Sequence, residues 1–169
     1  MGRAQLIICL FWAVLLSAQR PPNELFPLTP LDAEQQTTVD SLSISPIETL
    51  STSDLFKLAK VFLQVQRYEE ALQCYNELCD RNPNRFAFQF GRGASAGFLL
   101  SGTPSIRAMW HIGHLRSGFE EAVRIQPNSL FARRTLFNIY LGLPRLLGGS
   151  DAKADRQIKA IQLTVKLGL

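Results

Sequence analysis

The sequence predicts an all-α fold: a short α-solenoid of about three antiparallel helix hairpins, occupying residues 51–169. Three observations carry that prediction. In the stretch 52–84, two apolar stripes of helical period flank a break: Leu55, Leu58, Ala59 and Phe62 recur at i, i+3, i+4, i+7, and after Gln66-Arg67 come Ala71, Tyr75 and Leu78 at i, i+4, i+7. The ending of this hairpin recurs, since Tyr75–Asn84 and Phe119–Asn128 both open on an aromatic, place an apolar residue three positions on and close on Pro-Asn. A further pair of stripes surrounds Gly142–Gly149. One hairpin cannot bury its own apolar face, so stacked neighbours are required.

The first hairpin is the most explicit. Ser53 is the expected N-cap of its first helix, with Asp54 in the first turn, where the helix dipole favours a carboxylate. Ala59 and Ala71 are small residues placed to face each other, so two helix backbones can approach closely, with Phe62 and Tyr75 filling the flanks. Asn82-Pro83-Asn84 ends the second helix. The set Leu55, Leu58 with Ala59, Phe62, Ala71, Tyr75, Leu78 and Pro83 resembles the 34-residue tetratricopeptide repeat at every signature position. The resemblance implies helical hairpins that present surfaces to protein partners.

In the second unit, Phe86, Phe90, Ala94, Gly97 and Phe98 share one face of a helix, and Ala94 to Gly97 supply small residues for close packing. Ser101-Gly102-Thr103-Pro104 breaks the chain, with Thr103 as cap and Pro104 in the first turn of the next helix. That helix carries Ile106, Trp110, Leu115, Phe119 and Ala122 to Gln126-Pro127-Asn128. Because 44 residues separate Pro83 from Pro127, the unit exceeds the family period, and the extra length is expected around residues 99–113. In the third unit Leu130, Arg133, Phe137 and Tyr140 form one face and Ala132, Leu136 and Ile139 another. Gly148-Gly149 predicts a positive φ or a close backbone approach before the Ser150 cap, and Ala154, Ile158, Ile161 and Val165 form the last stripe. The run LPRLLGGSDAKA is similar, more loosely, to a feature of exported bacterial tetratricopeptide-type proteins such as the T-components of TRAP transporters.

Residues 1–18 have the pattern of a secretory signal peptide: Arg3, the apolar run Leu6–Leu16, and a small-residue exit at Ser17-Ala18. The run is shorter than the ~20 residues of a spanning helix, so membrane attachment is expected only through an uncleaved anchor. The implied localisation is exported, periplasmic or envelope-associated. Residues 19–50, punctuated by Pro21, Pro22, Pro27, Pro30 and Pro46, read as an extended lead-in with one short helix at Leu31–Leu42 that begins near Asp32.

No catalytic constellation is present, which predicts a non-enzymatic protein without a cofactor. His111 and His114 share a helix face at i, i+3, but two imidazoles without a further acid or thiol make a poor metal site, so no metal is expected. A metal-dependent enzyme built on them is a third reading. Cys74 and Cys79, five apart on one helix, lie beyond the ~7 Å reach of a disulfide and read as buried thiols. Charge is unevenly spread: residues 19–84 hold 5 Lys+Arg against 10 Asp+Glu, and residues 85–169 hold 12 against 4. Such asymmetry suits an acidic partner at the C-terminal half, or an acidic lead-in folded on the protein's own basic face. Export and the lack of an organised basic–aromatic motif argue against nucleic acid.

In the tetratricopeptide family the first helix of each hairpin lines an inner groove. Carried over by phase, this implies a partner-binding groove of Phe56 and Lys60, then Gly91, Ser95 and Phe98, then Arg133, Phe137 and Tyr140. Cations over an aromatic floor suit an extended peptide bearing a carboxylate. The family's peptide clamp uses asparagines at inner positions; Asn138 is nearby, but its expected phase is off the groove. The function expected is an exported protein-interaction or scaffold module of a bacterial cell envelope. The alternative is a small-ligand-binding accessory of a transport system, with the channel between hairpins as its site.

Overall fold

A computed structural model of the chain describes residues 31–102 and 108–168. Among these residues there are seven α-helices, two 3-10 turns and no strand. The helices are α1 (Ala33–Leu42), α2 (Thr52–Gln64), α3 (Tyr68–Arg81), α4 (Phe86–Gly102), α5 (Ala108–Ile125), α6 (Leu130–Gly142) and α7 (Asp151–Leu167). The 3-10 turns are Ile47–Thr49 and Arg145–Leu147. Pairing of α2 with α3, α4 with α5 and α6 with α7 makes three hairpins, and contacts of α3 with α4 and α5 with α6 stack them into a short solenoid. The expected signal segment lies outside the described residues, as do Thr103, Pro104 and Ile106.

The first hairpin follows its stripes. Leu55, Leu58, Ala59, Phe62, Ala71, Tyr75 and Leu78 are all buried in one core, with Ala59 and Ala71 fully inaccessible. Each large apolar side chain removed from water there contributes roughly 1.5–3 kcal/mol, which is why a marginal pair of helices holds. Ser51, not Ser53, is the N-cap of α2: its hydroxyl accepts from the Asp54 amide at 3.1 Å and donates to the Asp54 carboxylate at 2.7 Å. Ser53 is already inside the helix, since Thr52 opens it. Gln66 makes the break by adopting a left-handed φ of 61°.

The described part of the lead-in is folded. Asp32 and Gln35 form a reciprocal capping box at the start of α1, and the Gln35 side chain reaches Gln64 on α2 at 3.2 Å. Val39, Leu42, Ile47 and Leu50 pack against the first core. Arg81 fastens this segment to α3 by donating to the carbonyls of Leu50 (2.6 Å), Glu48 (2.9 Å) and Ile47 (3.1 Å), satisfying turn carbonyls that the chain leaves open.

The second hairpin departs from a single-faced pattern. Helix α4 is central, so it is covered from two sides: Phe88 joins the first core, while Phe86 and Phe90 join the second. The α4–α5 crossing rests on Gly93 and Gly118 rather than on the whole Ala94–Gly97 stretch; a Cβ on Gly118 would stand 2.7 Å from the Gly93 nitrogen and 2.8 Å from the Gln89 carbonyl oxygen. Trp110, expected on the buried stripe, is 79% exposed. In the third unit Ser150 caps α7 as expected, and Ser129 caps α6. Both readings of the glycine pair hold, one each: Gly148 has φ 97°, and a Cβ on Gly149 would run into the Leu143 carbonyl. Ala154 is buried, but Val165 at the end of the last stripe is exposed, since α7 extends beyond α6.

Candidate functional site

The expected groove residues divide into two groups. Phe56 and Lys60 stand together at the surface of α2, with the Lys60 ammonium 5.1 Å from the Phe56 ring centre. Of the remainder, Gly91, Ser95 and Tyr140 are buried, and Phe98, Arg133 and Phe137 are half-buried against neighbouring elements. Ser95 is fully buried and its hydroxyl donates back to the Gly91 carbonyl; Gly91 itself lies under the Tyr75 ring; Phe98 stacks on Tyr68 at 4.8 Å. Arg133 donates to the Pro127 carbonyl and, at 2.9 Å, to Gln157 on α7. Phe137 packs on the second core. Tyr140 is 5% exposed and donates its hydroxyl to Glu120 on α5 at 2.7 Å; burial first, then that hydrogen bond, raises its pKa.

The phase expected for α6 is therefore rotated. Arg133, Phe137 and Tyr140 face α5 and α7, and the exposed positions are Leu130, Phe131, Arg134 and Leu141, with Asn138 half-buried. The cause is the anchoring of Tyr140, whose tip finds a carboxylate that also attracts Lys153 (3.6 Å) and Arg116 (3.9 Å). The sequence carried a signal for this: Phe131 and Leu141 make α6 apolar on more than one side, so its phase cannot be set from α6 alone.

Ring contacts join the first helices of neighbouring hairpins in two separate groups. Phe56 meets Phe88 at 5.1 Å, Phe86 meets Phe90 at 5.5 Å, and Phe90 meets Phe131 at 5.6 Å. The exposed Arg85 guanidinium lies over Phe88 (4.6 Å) and Phe56 (5.5 Å). Phe131 remains 51% exposed despite its contact with Phe90. Among the described residues, Lys60, Arg85 and Arg134 have no carboxylate partner. The arrangement offers aromatic surface with unneutralised cations, the combination favoured at protein interfaces.

A second feature is a cleft between the first and second hairpins, of about 410 Å³. Helix α3 lines it with Glu69, Leu72, Gln73 and Asn76, α4 with Leu99, and α5 with Trp110 and His111. Asn76 Oδ1 and His111 Nδ1 are buried there without a hydrogen-bond partner. His114, one turn from His111, has its pKa lowered by burial, Arg92 and His111. Among the described residues no group of three or more His, Cys, Asp or Glu side chains is placed to hold a metal. Cys74 and Cys79 are free and buried, and burial pushes their pKa values up to about 12 and about 11. None of the described helices is long and apolar enough to cross a membrane.

The fold is a tetratricopeptide-like helical repeat. A solved structure titled "MamA MSR-1 C2", of a tetratricopeptide-repeat-containing protein, is similar to it with a TM-score of 0.59, 17% identity, and coverage of 80% of this chain and 67% of that one. That likeness is one of fold. No protein-family model and no curated protein matches the chain, and the likeness to transporter T-components gains no support from the comparisons.

Proposed function

We propose that the chain is an exported protein-interaction module of a cell envelope, and that its partner docks on the aromatic and cationic surface along the first helices of its hairpins. The observation that supports this reading is the exposed Phe131 ring resting on Phe90, together with the exposed Arg85 and Lys60 over Phe56. Large aromatics and arginine are the residue types that concentrate binding energy, and a surface with three unpaired cations favours an acidic partner. The expected groove contributes Phe56 and Lys60 to this surface; Phe131, Arg85 and Arg134 replace the packed members. The reading involves no catalytic step: the module holds a partner.

The test is affinity against a partner captured from envelope extract. The double variant Arg85→Ser, Phe131→Ser is expected to bind at least about tenfold more weakly, since central anchors of these types are worth about 2 kcal/mol each. Both side chains are exposed, so its helical circular dichroism should match wild type. Equal affinities remove the docking surface proposed. Export rests on the Leu6–Leu16 run and Ala18 and is tested separately, by N-terminal sequencing. A start at Gln19 supports it; Met1 or Gly2 on membrane-bound protein supports the uncleaved anchor. A second reading, small-ligand binding, is favoured by one observation, the cleft between the first two hairpins.

A further inference from the structure

The uneven charge of the chain is sorted by the fold to the outer elements of the helix stack. Residues 31–50 hold Asp32, Glu34, Asp40 and Glu48 and no Lys or Arg. They pack on the first hairpin, fastened by the Gln35–Gln64 contact and by Arg81. In that hairpin Asp54, Glu70 and Glu77 are paired with Lys57, Arg67 and Arg81. Glu34, Asp40 and Glu48 are exposed and have no cation among the described residues. Between Asp40 and Glu48 in the chain, Ile44 is 83% exposed.

Helix α7, in the third hairpin, is the counterpart. Arg156, Lys159, Leu163 and Lys166 follow at i, i+3, i+7, i+10, one strip of the helix surface, and all four are exposed. None of the three cations has a carboxylate partner among the described residues. An exposed repeat face that serves solubility alone is polar, whereas this one carries Leu163 at 57% and Leu167 at 60% exposure. The two faces cannot meet in one molecule, since α1 is held on α2 and α7 on α6. Residues 19–30 contain one Arg and one Glu and bring α7 no net charge. An anionic membrane would suit the cations but would face the exposed Asp155 on the same helix and leave the acidic end unanswered. A second copy of the chain answers both ends.

We propose that the chain associates with itself head to tail, the Asp40, Ile44 and Glu48 end of one copy docking on the Arg156, Lys159, Leu163 and Lys166 face of the next. The two patches differ, so the contact is heterologous: a pair keeps one free end of each kind, and association continues into larger oligomers. Neither patch uses Phe131, Arg85 or Lys60, so the surface along the first helices stays available to another partner.

Sedimentation velocity of the full chain tests this. Average mass is expected to rise with concentration past that of a dimer, and raising salt from about 0.05 M to about 0.5 M to weaken association at least about threefold, because these exposed charges are screened. The double variants Asp40→Lys, Glu48→Lys and Lys159→Glu, Lys166→Glu should each associate at least about tenfold more weakly, since like charges then oppose each other. Their circular dichroism should match wild type, as all four residues are exposed. Mixed in equal amounts, the two variants present opposite charges at every contact and should regain growth past a dimer. Growth in either variant alone as strong as in wild type, or no rescue on mixing, overturns the proposal. So does a wild-type mass that stops at a dimer, which means a symmetric contact. A monomer at every concentration overturns it too, and co-sedimentation of that monomer with vesicles containing anionic lipid would give the α7 face to a membrane.

Discussion

Two glycines on α5 should respond in opposite directions to the same substitution. Gly113 is exposed, and a Cβ added there meets nothing within 4 Å. Gly113→Ala therefore gains helix propensity and loses unfolded-state entropy without strain, and should stabilise by about 0.5–1 kcal/mol. At Gly118 the new Cβ would stand 2.7–2.8 Å from the Gly93 nitrogen, the Gly93 Cα and the Gln89 carbonyl oxygen. All three are backbone atoms of α4, so no side chain can rotate away and the two helices must separate. Overpacking of this kind costs about 1–3 kcal/mol, of which the propensity gain returns up to about 1. Gly118→Ala should then lower stability by about 1–2 kcal/mol. Urea unfolding followed by circular dichroism measures both, as opposite shifts in midpoint at similar slope. Shifts of the same sign would refute the Gly93–Gly118 crossing, and with it the close packing of the second hairpin.

Tyr140→Phe should destabilise by about 1–2 kcal/mol in the same assay, because Glu120 loses a 2.7 Å donor in a partly buried site; an unchanged midpoint would remove the anchor that sets the phase of α6. Native Cys74 and Cys79 should resist a thiolate-directed reagent at pH 8 and react once the chain is unfolded, since burial holds both protonated at that pH. The same raised pKa values predict alkaline destabilisation. The unfolded thiols ionise near 9.0 while the folded ones keep their protons to about 11 and 12, so the stability from these groups is fully present below pH 9 and declines as pH rises from there. A midpoint flat from pH 9 to 11 would contradict their burial.

How far the chain could be read in advance depended on how many sides of a helix are covered. In α2 and α3 every position of the predicted stripes is buried, Ala59 and Ala71 fully, whereas Val61, Leu63 and Leu72 are buried beside them and did not stand out from spacing. Helix α4 is covered by α3 and α5 together, so one-faced periodicity did not reveal Phe88 or Gln89, which are buried at 0% and 3% exposure. The Gly93–Gly118 crossing was hidden for a related reason: a glycine's spacing does not say which backbone will approach it. The 44-residue interval between Pro83 and Pro127 did mark where the second hairpin outgrows the first, and Trp110 and His111 reach the cleft from that added length. The positions of the expected groove residues followed the repeat phase only in part. Phe56 and Lys60 lie where the repeat phase put them, whereas Tyr140 turned inward toward a carboxylate twenty residues away, a pairing that no local pattern contains.

Amide hydrogen exchange of the protein with and without its captured partner tests the proposed docking surface most directly. The account predicts added protection in α2, in the first half of α4 and in α6 around Phe131, with α7 unchanged. Protection confined to α7, or to the α3 and α5 walls of the cleft, would contradict it.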